Sequence, residues 1–313
     1  MLSLYHVPAC RSSRALVMYQ ELRAAYITLR DAVRYDGRAD ERDIPVPPPL
    51  MLHEFGEDAF GKARDPAREE WFKGLNPHGE VPVLLDGSVT VWDSCAVCTY
   101  LLDRYDPMGL LLPRTQFEAM PEHLRFIQNS FVGMSTSSAL AARALYSQVC
   151  GVCARELDGL PRAGSIERWH SVSAPWLEHV LESRAGYHCT TLAMALEGPS
   201  NPSAHEPQPF LLGRHFSACD AVLGSSLSAL PTTVEDSPIE DAGSEVDTPP
   251  WLDRLKHPLL FDYAVRVLQR DAWQVAATPA AKWEALALQA PGIAHCTARP
   301  PCPLQPWAEP PAL

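Results

Sequence analysis

The chain lacks the long apolar run that a membrane span requires. Its least polar long stretch, 134–154, is broken by Arg143 and several hydroxyls, so it could not stay in hydrocarbon. Positive charge is also short: a net −12 over 313 residues argues against nucleic acid or an anionic membrane as the main partner. Nine cysteines are too sparse for a disulfide scaffold, and the odd number leaves at least one unpaired. There is no GxGxxG, P-loop, GxSxG or HExxH pattern, which removes the readable signatures of dinucleotide, phosphate, serine-hydrolase and zinc-protease chemistry. The opening residues place Arg11 and Arg14 where a secretory leader needs an apolar core, so a reducing, cytoplasmic setting is expected.

What is present divides into two parts. The first third mixes periods of two and of 3.6 residues. Strands are expected at 2–7, 26–31, 81–85 and 88–92, the last two flanking a hairpin turn at Asp86-Gly87. Helices are expected at 12–22 and 94–105. This order implies an α/β domain with a mixed four-stranded sheet over 1–106. The polar, proline-broken segment at 34–66 reads as an insertion. A linker with two prolines and a glycine follows at 107–119.

Helical patterns dominate from 120 to 290, so the second domain reads as all-α. Its stretches 121–157, 165–183, 217–230, 258–275 and 280–289 carry the helical signal. Two breaks, 197–209 and 231–250, are rich in Pro, Ser and acids. The second holds Glu235, Asp236, Glu240, Asp241, Glu245 and Asp247, half of the net charge. Ordering it would cost entropy and bury little. The tail at 291–313 is proline-rich without periodicity and reads as disordered. Ser217 and Asp220, after Phe216, resemble a capping box with a hydrophobic staple, opening a helix apolar on nearly every face. That pair reads as structural.

The chemistry-bearing residues lie in the first domain. "VPACRSSR" leads from a strand into a helix and places Cys10 beside Arg11 and Arg14. Helix amides and cations lower a thiol pKa and make a reactive thiolate. Ser12 and Ser13 can cap the helix or donate to a ligand thiolate. Val81-Pro82 opens a strand, where a trans proline is tolerated and a cis bond would turn the Val81 backbone outward. Asp93-Ser94 precedes a helix: Ser94 suits an N-cap, while the first-turn amides and the acid together could hold a carboxylate and an amino group. The Cys-x-x-Cys pairs at 95/98 and 150/153 fall in helical patterns with the wrong separation for a zinc ribbon, so no metal is expected.

Three segments together resemble the cytosolic glutathione S-transferase superfamily: "LYHVPACRSSRALVMYQEL", "FKGLNPHGEVPVLLDGSVTVWDSCAVCTYLLDRY" and "FLLGRHFSACDAVLGSSL". The resemblance implies a thioredoxin-like domain followed by a helical one. It implies glutathione as co-substrate rather than a cofactor, a small electrophile as second substrate, and a homodimer. It puts a cis proline at Pro82 with Val81 pairing the glutathione cysteinyl backbone, and Asp93 and Ser94 at the γ-glutamyl end. The thiol-activating residue of that superfamily is a Ser, Tyr or Cys near the first helix. Cys10 and Ser12 are the leading candidates and Tyr5 is the rival. Three readings stay open: conjugation, thiol transfer through Cys10, and a binding module without turnover.

Overall fold

Along the first strand, Leu2, Leu4 and His6 alternate with Ser3, Tyr5 and Val7, so each set faces one side of a sheet. The computed structural model of the chain describes residues 2–36, 41–55, 66–112, 174–182, 209–211, 215–227 and 254–295. Five strands order as β4-β3-β1-β2-β5, where β1 is Leu2–His6, β2 Leu50–Glu54, β3 Val83–Asp86, β4 Val89–Trp92 and β5 Ile293–His295. β1 pairs parallel with β2 and antiparallel with β3. β3 and β4 are antiparallel, and β5 joins β2 in parallel.

Helices cover both faces. One face packs Leu2, Leu4, Leu50, Leu52 and Leu84 against α1 (Ser13–Asp36) and α3 (Ser94–Tyr105). The other packs Tyr5, Phe55 and Val83 against Phe72 of α2 (Pro66–Leu75). Each buried leucine contributes about 1.5–3 kcal/mol. The β-α-β-α-β-β-α order around this sheet is thioredoxin-like.

The described helical part comprises α4 (Ala174–Glu182), α5 (Ala218–Leu227), α6 (Pro258–Leu268) and α7 (Asp271–Ala277). α5 packs on α1 and α6 with Ala218, Cys219, Val222 and Leu223 buried. Its start is built as the Ser217/Asp220 pair suggested. Asp220 accepts from the Ser217 amide at 2.8 Å and its hydroxyl at 2.6 Å, and also from Leu211 N–H and Tyr263 hydroxyl. Asp106 takes the amides of Leu110, Leu111 and Leu112 and the hydroxyl of Tyr26. The chain leaving the first domain is therefore pinned by one buried carboxylate.

Four sequence expectations change. The strand expected at 26–31 is the second half of α1, because Leu22, Ala25, Tyr26 and Leu29 recur at helical spacing and all are buried. The segment 34–66 is not an insertion throughout: it supplies β2, a five-residue strand next to β1. The hairpin turn is Gly87-Ser88 rather than Asp86-Gly87, since Asp86 pairs with Val89 and Gly87 takes the positive φ of 60°. The tail opens with β5, whose residues Ile293–His295 extend the sheet to five strands. In addition, 258–275 is two helices broken at Gln269-Arg270, and 280–289 holds only a 3-10 turn at Ala280–Lys282. The segments 113–173, 183–208, 231–250 and 296–313 lie outside the described residues, as do Cys150 and Cys153. Among the described residues no helix is long and apolar enough to cross a membrane.

Candidate functional site

β1 ends at His6, and the chain turns through Pro8, Ala9 and Cys10 into α1. Ala9 has a positive φ of 54°, a sharp turn that sets Cys10 ahead of the helix. Cys10 is part-exposed and packs against the Tyr5, Phe55, Phe72 and Val83 cluster. Its thiol sulfur lies 3.1 Å from the Ser12 hydroxyl. Burial raises its pKa, against the smaller lowering effects of Ser12 and Arg11. The expected stabilised thiolate is therefore absent at rest. Arg14, counted as a cationic neighbour from the sequence, points elsewhere. Its guanidinium is buried and donates to Ser94 Oγ at 3.4 Å. Arg11 is exposed and pairs with Glu80 at 3.2 Å, joining the loop that carries Cys10 to the one that carries Val81.

Ser12 is fully buried, as is Ser13. Ser12 Oγ accepts the Val7 amide at 3.0 Å and sits 2.8 Å from His6 Nδ1. Ser13 Oγ donates to the carbonyl of Ala276. Neither hydroxyl has solvent access of its own. Tyr5 belongs to the core: it is 4% exposed and lies among the rings of His53, Phe55, Trp71 and Phe72.

Val81 follows a turn that the sequence passed over. Asn76 donates from Nδ2 to the Glu80 carbonyl at 2.6 Å, and its Oδ1 accepts from His78 N–H at 3.0 Å. This is the self-bonded turn that Asn favours, and Asn76-Pro77 was the signal for it. The Val81–Pro82 bond is cis. Val81 is half-buried against the same cluster as Cys10, and no described residue hydrogen-bonds its backbone.

At the start of α3 the cap is Asp93, not Ser94. Asp93 Oδ1 accepts from the amides of Cys95 at 2.9 Å and Ala96 at 3.0 Å, while Ser94 is the first helical residue and is buried. A carboxylate caps as well as a hydroxyl and also suits the positive helix end. Asp93 Oδ2 is exposed without a hydrogen-bond partner among the described residues. Among those residues no three acidic, His or Cys side chains gather as a metal cluster.

A thioredoxin-like sheet with an open strand-start backbone, an exposed acid at a helix N-terminus and a thiol at the head of α1 defines a thiol-peptide-binding class of domain. Residues 51–104 match the model of the glutathione S-transferase N-terminal domain. Dichloromethane dehalogenase of Methylorubrum extorquens is 43% identical over 42 residues, 13% of this chain and 15% of that protein. Glutathione S-transferase sirG of Leptosphaeria maculans is 36% identical over 72 residues, 21% and 31% of the two chains. The chain thus spans less than a third of the length of these curated relatives. The solved structure of glutathione S-transferase III in its apo form is alike over 89% of this chain and 98% of that one, with a TM-score of 0.51 at 18% identity, a likeness of fold. The chain belongs to the glutathione S-transferase superfamily.

Proposed function

We propose that this protein is a glutathione transferase that holds glutathione along the 81–94 edge and presents its sulfur to Cys10. The observation that carries this reading is the unengaged Val81 backbone beside a part-exposed Cys10 on one apolar cluster. The cysteinyl unit would pair with Val81 ahead of Pro82. The γ-glutamyl ammonium would meet Asp93 Oδ2, and its carboxylate the first-turn amides and hydroxyl at Ser94. Buried Arg14 adds positive charge behind that carboxylate.

Cys10 rather than Ser12 or Tyr5 is the activating residue in this reading, because the other two are buried in their own contacts. As a neutral thiol it donates its hydrogen to the glutathione thiolate, which favours conjugation. The thiolate then attacks the electrophile, its leaving group departs, and the glutathione proton passes to solvent. Thiol transfer is the second reading, supported by the part exposure of Cys10. There Cys10 would have to ionise and attack a glutathione mixed disulfide, releasing the partner thiol.

The proposed organisation is a glutathione-binding domain at 1–106, a linker at 107–119 and an electrophile-binding helical domain at 120–290. A cytoplasmic homodimer with no further cofactor completes it. The test is glutathione-dependent turnover of a chlorinated aromatic and of a mixed disulfide, measured side by side. Conjugation well above disulfide reduction is the expected result. Retention on immobilised glutathione with neither activity would instead make the protein a binding module.

A further inference from the structure

Behind Cys10 runs a chain of hydrogen bonds that crosses from the first strand to the last long helix. His6 Nε2 lies 3.0 Å from the carbonyl oxygen of Ala276 on α7. His6 Nδ1 lies 2.8 Å from Ser12 Oγ, and Ser12 Oγ lies 3.1 Å from Cys10 Sγ. The members are 270 residues apart at their ends, and His6 and Ser12 are almost wholly buried.

The protons in this chain can be assigned. A carbonyl only accepts, so Nε2 carries a hydrogen. No acid among the described residues faces His6, and burial lowers its pKa to about 4, so the ring is neutral near neutral pH and Nδ1 holds a lone pair. The one hydrogen able to reach that lone pair is the hydroxyl proton of Ser12. With its proton spent on His6, Ser12 Oγ can only accept, from the Val7 amide at 3.0 Å and from the thiol of Cys10. Cys10 is therefore the donor of its pair.

We propose that His6 is a positioning residue that keeps Cys10 a neutral, hydrogen-donating thiol by claiming the Ser12 hydroxyl proton. For Cys10 to ionise, the Ser12 hydroxyl must swing towards the sulfur and leave Nδ1 buried without a donor, a penalty the thiolate has to bear. Transfer of the thiol proton through Ser12 onto His6 is the competing idea. It is disfavoured because the ring would then be charged in a site closed to water. The proposal deepens the reading of Cys10 as the activating residue, and it explains why that residue acts as a donor rather than a nucleophile. Arg11, paired with Glu80, is the one cation acting on the Cys10 sulfur and is common to all variants below.

The experiment is alkylation of the full chain by iodoacetamide across a pH series. Labelling is read at the Cys10 peptide by mass spectrometry, with buried Cys95, Cys98 and Cys219 as internal standards for unfolding. Here the thiolate displaces iodide, and glutathione is not involved. A failed conjugation assay and a failed alkylation result are thus separate outcomes. His6→Gln keeps an amide hydrogen for Ala276 and removes the acceptor at Nδ1. It is expected to lower the thiol midpoint by about one unit and speed labelling roughly tenfold near neutral pH. His6→Asn restores an acceptor towards Ser12 and is expected to return labelling close to the wild-type rate. Slower or unchanged labelling of Cys10 in folded His6→Gln overturns the proposal. If His6→Gln labels all four cysteines at once it has unfolded. The nitrogen shifts of His6 in the wild-type protein then decide. A neutral ring protonated at Nε2 upholds the assignment, and a Nδ1–H ring or an imidazolium overturns it.

Discussion

The two ends of the proposed glutathione edge are built on opposite principles. At the head of α1, polar groups are used up inside the protein: Ser12 meets His6, Val7 and Cys10, and Ser13 meets Ala276. At the head of α3, groups stay available: Asp93 commits one oxygen to its helix and leaves the other exposed, and Val81 keeps its backbone unengaged. A peptide ligand needs the second kind of end, because binding energy comes from partners not yet satisfied. A reacting sulfur needs the first kind, because a fixed donor costs no reorganisation when charge develops. The difference teaches that hydroxyls near a helix start cannot be ranked as catalytic from proximity in sequence. What ranks them is whether their hydrogen bonds are already spent.

The most saturated group in the molecule is Asp220, and its removal should give the largest effect. Asp220→Ala strands four donors in a fully buried site. The loss is expected at roughly 3 kcal/mol or more, beyond the 1–2 kcal/mol of a cap alone. Thermal and urea melts would show it, and a loss below 1 kcal/mol would mean that the network is not formed in solution.

His6 should dominate acid sensitivity at the closed end. Its pKa falls from 6.5 to about 4 on folding through burial. Above 6.5 neither state binds the proton, so nothing is lost. As the pH falls from 6.5 towards 4, the unfolded chain takes up a proton that the folded chain refuses, and stability drops by up to about 3 kcal/mol. His6→Gln should flatten that part of the curve in urea melts. Parallel acid limbs for the two proteins would contradict a buried neutral ring.

The open end is sharpened by Asp93. Asp93→Ala should weaken glutathione binding about tenfold, more than Asp93→Asn, and cost about 1 kcal/mol of stability for the lost cap. Calorimetric titration with glutathione separates the two effects. Equal affinity in all three proteins would remove Asp93 from the ligand. Smallest of all is Arg11→Ala, where the exposed pair with Glu80 should matter by no more than about 0.5 kcal/mol. A larger loss would show that the Cys10 and Val81 loops depend on that bridge.

How much of this was legible follows from how local each feature is. Val81-Pro82, the hairpin, Asp93 and the Ser217/Asp220 start are contiguous patterns, and each stands at or within one residue of its expected place. The 26–31 segment misled because Tyr26, Ile27 and Thr28 favour strands singly, while the burial of Leu22, Ala25, Tyr26 and Leu29 is helical. β2 was hidden by the prolines at 45 and 47–49, which usually mark loops, and β5 is too short to register without β2 to pair with. The surroundings of Cys10 could not be read at all. Arg14 turns towards Ser94, and the carbonyl that orients His6 comes from Ala276, far along the chain.

The central claim is that glutathione is activated by the hydrogen of Cys10, and substitution at that one sulfur tests it most directly. The measurement is kcat/KM for glutathione conjugation of a chlorinated aromatic in the wild type, Cys10→Ser and Cys10→Ala. A serine hydroxyl still donates, so Cys10→Ser should keep or raise the rate, whereas Cys10→Ala should lose at least about tenfold, the low end for one lost donor. A Cys10→Ala protein as active as the wild type would contradict the account.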